Sequence, residues 1–481
     1  MAEPVQIGAE PLGWEAYEAV VYGGEGVALS RESAVDEHRA ELERQLAAGD
    51  VIYSVNTGYG AEAGRKIEPE AIGRMQANTL RSHAAGVGDP APDVIVRGML
   101  LLKAQAYAQG PAGLRREVVE RLLALLNARI HPVVPLQGSQ SASGDLIPNA
   151  HLGLALMGEG EVVIGGERQP AAGSVAPFKP EAKEGVALTN DCSLATALAF
   201  DVVRSATRLV DRSELVAAMT LQALRGFPDA YDERLVGVRP HLGALAAAAH
   251  MRELLAGSEL LRGPDRPHDP YSLRCLPQVH GAVRDAITYA RTAVETEIRS
   301  IGDNPLVFLG YGVAISGGNI HGAPIGIPMD TLAIAVTELA ALSQRRTYHL
   351  VNPELDAGLP PKLSPQPEER FGLLLLNTTA SALVSECRGL AVPASTESIA
   401  VDAMEDHVSM AAVAARQALA AIELARRVVA IELVCAAQGL DFRRPCRASS
   451  PVEELYAAVR ERIPFVNEDR PVQVEGVLGL V

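Results

Sequence analysis

Residues 411–438, AAVAARQALAAIELARRVVAIELVCAAQ, are an unbroken Ala/Leu/Val-rich run without proline or glycine, and Gly439 follows as a helix-stop residue. A continuous helix of that length is roughly 40 Å long at about 1.5 Å per residue. Such a helix suits a bundle whose central members run nearly its full height, and the alanine faces let neighbours approach closely. Working outward, VVERLLALLNARI at 118–130 repeats Val119, Leu122, Leu123, Leu126 and Ile130 at helical spacing until His131-Pro132 stops it. Met329 to about Leu350 has the same character. Ser450-Pro451-Val452-Glu453 predicts a helix start with Ser450 as cap, Pro451 first in the helix and Glu453 completing a capping box. Strand signal is sparse; GEVVIGGERQPA at 160–171 reads as a hairpin turning at Gly165-Gly166. The expected fold is therefore mainly α. A loop-rich part over 1–192 precedes a long-helix bundle over 193–481 that carries the oligomer contacts.

The chain has 481 residues, enough for a large core, and 48% hydrophobic with 21% charged residues is ordinary for a folded soluble protein. With 59 acidic against 43 basic side chains the net charge is −16. That balance, with no basic patch, argues against nucleic acid and anionic membrane as partners. The five cysteines, Cys192, Cys275, Cys387, Cys435 and Cys446, have no C-x-x-C spacing, which predicts a reducing cytoplasm and no metal site. The N-terminal MAEPVQIGAEPLGWEAYEAV has neither a basic nor an apolar signal region, and runs such as LGALAAAAHM are too short to cross a bilayer.

The segment HPVVPLQGSQSASGDLIPNAHLGLALMGEGE at 131–161 combines two proline turns, a small-residue loop from Gly138 to Gly144, and a helix with Ala150, Leu154 and Met157 on one face. In an arbitrary protein, Ser143 or Asp145 of such a loop would simply cap that helix. Yet QGSQSASGDLIPNAHLGLALMGEGE resembles the signature of the histidine, phenylalanine and tyrosine ammonia-lyases and related aminomutases. Further resemblances follow in that family's order: YSVNTGYG at 53–60, SHAAGVG at 82–88, KEGVALTN at 183–190, DPYSLRCLPQ at 269–278, GDNP at 302–305, ISGGNIHG at 315–322, SQRR at 343–346 and EDHVSM at 405–410. They cover nearly the whole chain. The resemblance implies a fumarase/aspartase-like helical bundle and a homotetramer whose active sites draw on more than one subunit.

It also implies that Ala142-Ser143-Gly144 cyclises to a 4-methylidene-imidazol-5-one, formed autocatalytically without metal or external cofactor. Bulky neighbours would obstruct a five-membered ring closed by the Gly144 nitrogen on the Ala142 carbonyl carbon, and Ala and Gly leave room. Loss of two waters then leaves an electrophile that no ordinary side chain provides. By the same resemblance Tyr53 is the base for the β-proton and Tyr271 a second catalytic tyrosine. Arg274 is the carboxylate clamp, for which a guanidinium fork suits two oxygens, and Asn190 hydrogen-bonds the ring and substrate region. A lone tyrosine, arginine or asparagine would more often be core, surface and turn respectively.

Substrate choice rests on fewer residues. Ser82-His83 and Glu405 look like the histidine-lyase versions of their positions, and a carboxylate beside the substrate could pair with an imidazole N–H. Other positions depart from that pattern: His268 before Asp269-Pro270-Tyr271, Asp191-Cys192 where histidine lyases read Gly-Thr, Ile320 where they read Phe, Ala403-Met404 before Glu405, Cys387-Arg388 for Asn-Lys, and Val392 for His. His268, Ile320 and Met404 join His83, Asn190, Arg274 and Glu405 as expected substrate contacts. The leading reading is elimination of ammonia from L-histidine to give trans-urocanate. A lyase for another aromatic or modified amino acid, such as a thiol-histidine betaine, and an aminomutase are the alternatives; a non-catalytic helical scaffold is the reading from another class.

Overall fold

A computed structural model describes residues 3–8, 10–30, 32–262, 267–352, 358–397 and 404–481. Two compact units emerge: Met1–Phe200 with Arg291–Ile327 and Pro393–Arg416, and Asp201–Ala290 with Pro328–Val392 and Gln417–Val481.

The first unit is built around the helix Asp93–Ala108, which is buried at every position from Ile95 to Ala108. Its sequence is mostly apolar on every side, as suits a helix without a solvent face. Arg97, Lys103 and Gln105 are nevertheless among its buried residues. Against it pack the helices Trp14–Val21, Glu32–Ala47 and Arg116–Ala128, while Pro69–His83 and Leu146–Leu156 pack on each other and on Glu184–Thr189. Small sheets complete the unit. Val5–Ile7 pairs in parallel with Val27–Leu29, Val87–Pro90 pairs with Pro135–Gln137, and Ile130–Pro132, Glu161–Ile164 and Glu167–Pro170 form an antiparallel triplet. The expected hairpin is present: Ile164 pairs with Glu167 across Gly165 and Gly166, both at positive φ (60° and 86°), as a two-residue turn requires.

The second unit is helical. It contains Leu242–Leu255, Leu374–Leu390 and Ser450–Arg460, together with most of the long helices Ser193–Ala223, Leu276–Arg299, Ala323–Val351 and Ala411–Asp441. A side chain at Gly243 would place its Cβ 2.0 Å from the Gly281 carbonyl oxygen, so two helices touch backbone to backbone there. Gly439 does not stop its helix, which continues to Asp441. Its role is packing, because a Cβ there would meet the Ala223 Cβ at 3.0 Å. The Ser450 cap is likewise displaced by one residue. Ser449 is the N-cap, and the Glu453 carboxylate accepts from the Ala448 N–H at 2.7 Å instead of closing a capping box on Ser450. The apolar stretches Glu184–Ala223 and Ala323–Val351 match a membrane span in length and hydropathy, but 94% and 61% of their apolar windows are buried in the fold.

Candidate active site

The loop before the helix Leu146–Leu156 is held in a conformation ordinary residues avoid: Ser141, Ser143 and Gly144 have φ of 54°, 55° and 81°. Asp145 occupies the N-cap position but does not cap. Its buried Oδ1 accepts from Ser139 Oγ at 2.6 Å and Ser141 Oγ at 3.1 Å, and its Oδ2 from the Ala195 N–H at 2.8 Å. Burial pushes the Asp145 carboxyl up, and these donors oppose the shift. The loop is therefore anchored from below by its own aspartate.

Behind the loop stands the segment Thr189-Asn190-Asp191. The Asp191 carbonyl accepts the Asp145 N–H at 2.6 Å and lies so close that a Cβ on Gly144 would be 2.1 Å from it, so only glycine fits there. Two buried cations hold this wall. Lys103 Nζ donates to Asn190 O at 2.9 Å and Asp191 Oδ2 at 2.8 Å. Lys183 Nζ donates to Asp303 Oδ2 at 2.5 Å, while Asn190 Nδ2 donates to Asp303 Oδ1 at 2.7 Å and Asn304 O at 2.8 Å. Burial pulls the Lys183 ammonium down and its Asp303 partner opposes that.

In front of the loop opens a cavity of about 1110 Å³. Of the expected site residues, Tyr53, His83, Ala142, Ser143, Asn190, Ile320, Met404 and Glu405 line it. They come from chain positions more than 350 apart, brought together within the first unit. Glu405 accepts from Ser143 Oγ at 2.6 Å. The Gly60 N–H donates to Tyr53 Oη at 3.2 Å and orients the phenol, and Ser82 Oγ lies 3.0 Å from His83 Nδ1. Gly144 lies within the loop, against Asp191.

Tyr271, Arg274 and His268 belong to the second unit and do not line this cavity. Tyr271 is 68% exposed and the Arg274 guanidinium stacks 4.3 Å from its ring centroid, on the short helix Tyr271–Arg274. Arg274 Nε, although buried, has no hydrogen-bond partner. His268 is exposed. Ala403 lies outside the described residues.

Sequence reasoning missed several lining groups. Tyr59 also lines the cavity, paired with Thr79 at 2.8 Å, and burial pushes its phenol up to about 12, so it is a neutral hydroxyl at working pH. His321 and His407 face each other in the cavity wall, Nε2 to Nδ1 at 3.1 Å. Burial pulls His321 down, reinforced by His407. Both histidines sit inside quoted motifs, ISGGNIHG and EDHVSM, where they could have been noticed. Lys103 had one signal: a charge in the middle of the apolar run Met99–Ala108.

The family model for aromatic amino acid lyase matches residues 12–461. A histidine ammonia-lyase of Geobacillus sp. strain WCH70 is 45% identical over 466 residues, 95% of this chain and 92% of the relative. The crystal structure of histidine ammonia-lyase from Trypanosoma cruzi superposes with a TM-score of 0.89 at 34% identity, covering 99% of this chain and 93% of that one. The ergothioneine-degrading ergothionase of Treponema denticola superposes with a TM-score of 0.94 at 28% identity, covering 99% and 98%.

Proposed function

The chain belongs to the aromatic amino acid lyase family, and from that premise we propose that it eliminates ammonia from L-histidine to give trans-urocanate. The observation that carries the substrate reading is the Glu405 carboxylate, 2.6 Å from Ser143 Oγ, in a cavity that Tyr53 and His83 also line. A carboxylate at that place gives an imidazole N–H a charge-assisted partner, which a phenyl ring could not use.

The residues fit a methylidene-imidazolone made from Ala142-Ser143-Gly144. Positive φ at Ser143 and Gly144, the absence of room for any side chain on Gly144, and the exposure of Ser143 to the cavity all favour closure of a compact ring at this loop. That group supplies an electrophile for the substrate amine, turning a poor leaving group into a better one. The remaining work falls to side chains. Tyr53, oriented by the Gly60 N–H, takes the β-proton. Asn190, fixed by Asp303, presents a polar group beside the ring-forming residues. His83, Ile320 and Met404 shape the wall around the substrate side chain. Arg274 clamps the substrate carboxylate, with Tyr271 beside it and His268 nearby in sequence. Tyr271 is exposed on its own subunit, which suits a soluble cytoplasmic homotetramer whose subunits share active sites.

A second reading keeps the chemistry and changes the substrate. The likeness to an ergothioneine-degrading enzyme, with Cys192, Ile320 and Met404 at or near the cavity, favours a modified histidine such as a thiol-histidine betaine. Turnover of L-histidine, that betaine, L-phenylalanine and L-tyrosine, with the products separated chromatographically, decides between them. The expected result is the highest kcat/KM for L-histidine with urocanate as product. Preference for the betaine or phenylalanine overturns the substrate reading, and a β-amino acid product overturns the lyase outcome.

A further inference from the structure

We infer that the buried Lys103–Asp191 ion pair is a positioning element for ring closure at Ala142-Ser143-Gly144. The inference rests on the ring-forming reading above.

Asp191 is in an unfavourable conformation for a residue with a side chain, φ +77°. What holds it there is its carboxylate. Oδ2 accepts from Lys103 Nζ at 2.8 Å; Oδ1 accepts from the Ser193 N–H at 2.8 Å and Asn149 Nδ2 at 3.1 Å. Lys103 is fully buried on the central helix of its unit, and it also holds the preceding carbonyl, Asn190 O. One cation thus ties the carbonyl of residue 190 and the carboxylate of residue 191 to a rigid helix. The carbonyl of Asp191 is the atom packed against Gly144, and it accepts the N–H of Asp145. A fixed wall on that side keeps the Gly144 amide near the Ala142 carbonyl carbon instead of letting the loop relax away.

Closure balances without an oxidant. The Gly144 nitrogen bonds to the Ala142 carbonyl carbon, and its proton passes to that oxygen. The resulting hydroxyl leaves as water with the Ser143 amide proton, and the Ser143 hydroxyl leaves as a second water with the Ser143 Cα proton. No proton donor or acceptor among these is Lys103 or Asp191, so their contribution is orientation, which governs the rate of an intramolecular attack.

Two variants test this. Asp191→Asn keeps shape and tolerates positive φ, but both carboxylate oxygens accept, so one side of an amide must present N–H to a donor. The double variant Lys103→Met/Asp191→Gly removes both charges and the strained side chain together, leaving no lone buried ion. Each is made by cell-free synthesis, and loss of two waters is followed by intact mass and near-ultraviolet absorbance, with Tm recorded on the same protein. The expected result is folded protein in which water loss is slowed about tenfold or more. Wild-type water-loss kinetics in either folded variant overturn the inference. So does failure of both to fold, which makes the pair a folding requirement only. Full sequence mass in the wild type overturns the ring-forming reading itself, an outcome distinct from the others.

Discussion

The two units bury ion pairs of similar chemistry in different company. In the second unit Arg346, fully buried, donates from Nε and Nη2 to Glu432 at 2.6 and 2.8 Å, and Glu432 also accepts from Thr220 and Ser343 at 2.6 Å each. Those residues lie on Ser193–Ala223, Ala323–Val351 and Ala411–Asp441, so one carboxylate joins three long helices whose own backbones are already satisfied. In the first unit Lys103 and Lys183 serve irregular backbone, the 189–191 and 303–304 segments. A helix needs its neighbours set in register; a loop needs its conformation imposed. Breaking the first device should cost stability, and breaking the second should cost chemistry.

The largest expected effect is on chemistry. On the proposed ring closure Ser143→Ala removes the leaving hydroxyl, so turnover should fall by orders of magnitude while Tm stays within a shift worth about 1 kcal/mol. Unchanged activity in a steady-state assay would break the comparison at its root. Next comes Arg346→Met, which leaves Glu432 buried with two hydroxyl donors and no cation. Denaturant unfolding should show a loss of about 3–5 kcal/mol, largely recovered in Arg346→Met/Glu432→Leu. A loss of activity without a loss of stability would reverse the roles assigned to the two regions.

Glu405→Gln is a smaller and more selective change. Losing a charge-assisted hydrogen bond to an imidazole, worth roughly 1.5–3 kcal/mol, should lower kcat/KM for histidine about ten- to a hundredfold. Residual turnover of phenylalanine should be little affected; equal losses for both would show that Glu405 serves the loop and not the substrate. The smallest effect is a pH dependence. Burial, with Asp191 and Asp145 adding to it, pushes the Glu297 carboxyl up from 4.5 to about 7. Its neutral form is the one the fold favours, so its contribution is fully present below about pH 4.5 and is lost as pH rises through about 7. Glu297→Gln should therefore gain stability relative to the wild type at about pH 8 compared with about pH 5, measured by Tm at each pH. The opposite sign would mean that Glu297 is held ionised.

Periodicity and turn chemistry made much of the fold legible. The Gly165-Gly166 hairpin and the long helix from Ala411 follow from local spacing, and so does the helix at Arg116–Ala128, although it ends at a left-handed Arg129 and Ile130 to Pro132 form a strand instead of its last turn. Gly439 was misread because a glycine that ends a helix and one that admits a neighbour look alike in sequence; only the approach of Ala223 distinguishes them. The cavity was largely legible through motifs, since Tyr53, His83, Ser143, Asn190 and Glu405 all lie within them. Tyr59 and the His321–His407 pair were passed over inside the same motifs.

By itself the sequence determined the helical class, because helix period is a local property, and through its ordered family motifs the carbon–nitrogen lyase chemistry, because motif order is read directly along the chain. Tertiary structure decided what stands against Ala142-Ser143-Gly144. Lys103 and Asp191 are 88 residues apart and meet only once their elements pack. A buried charge declares its partner through distance and desolvation, and neither is written in the order of residues.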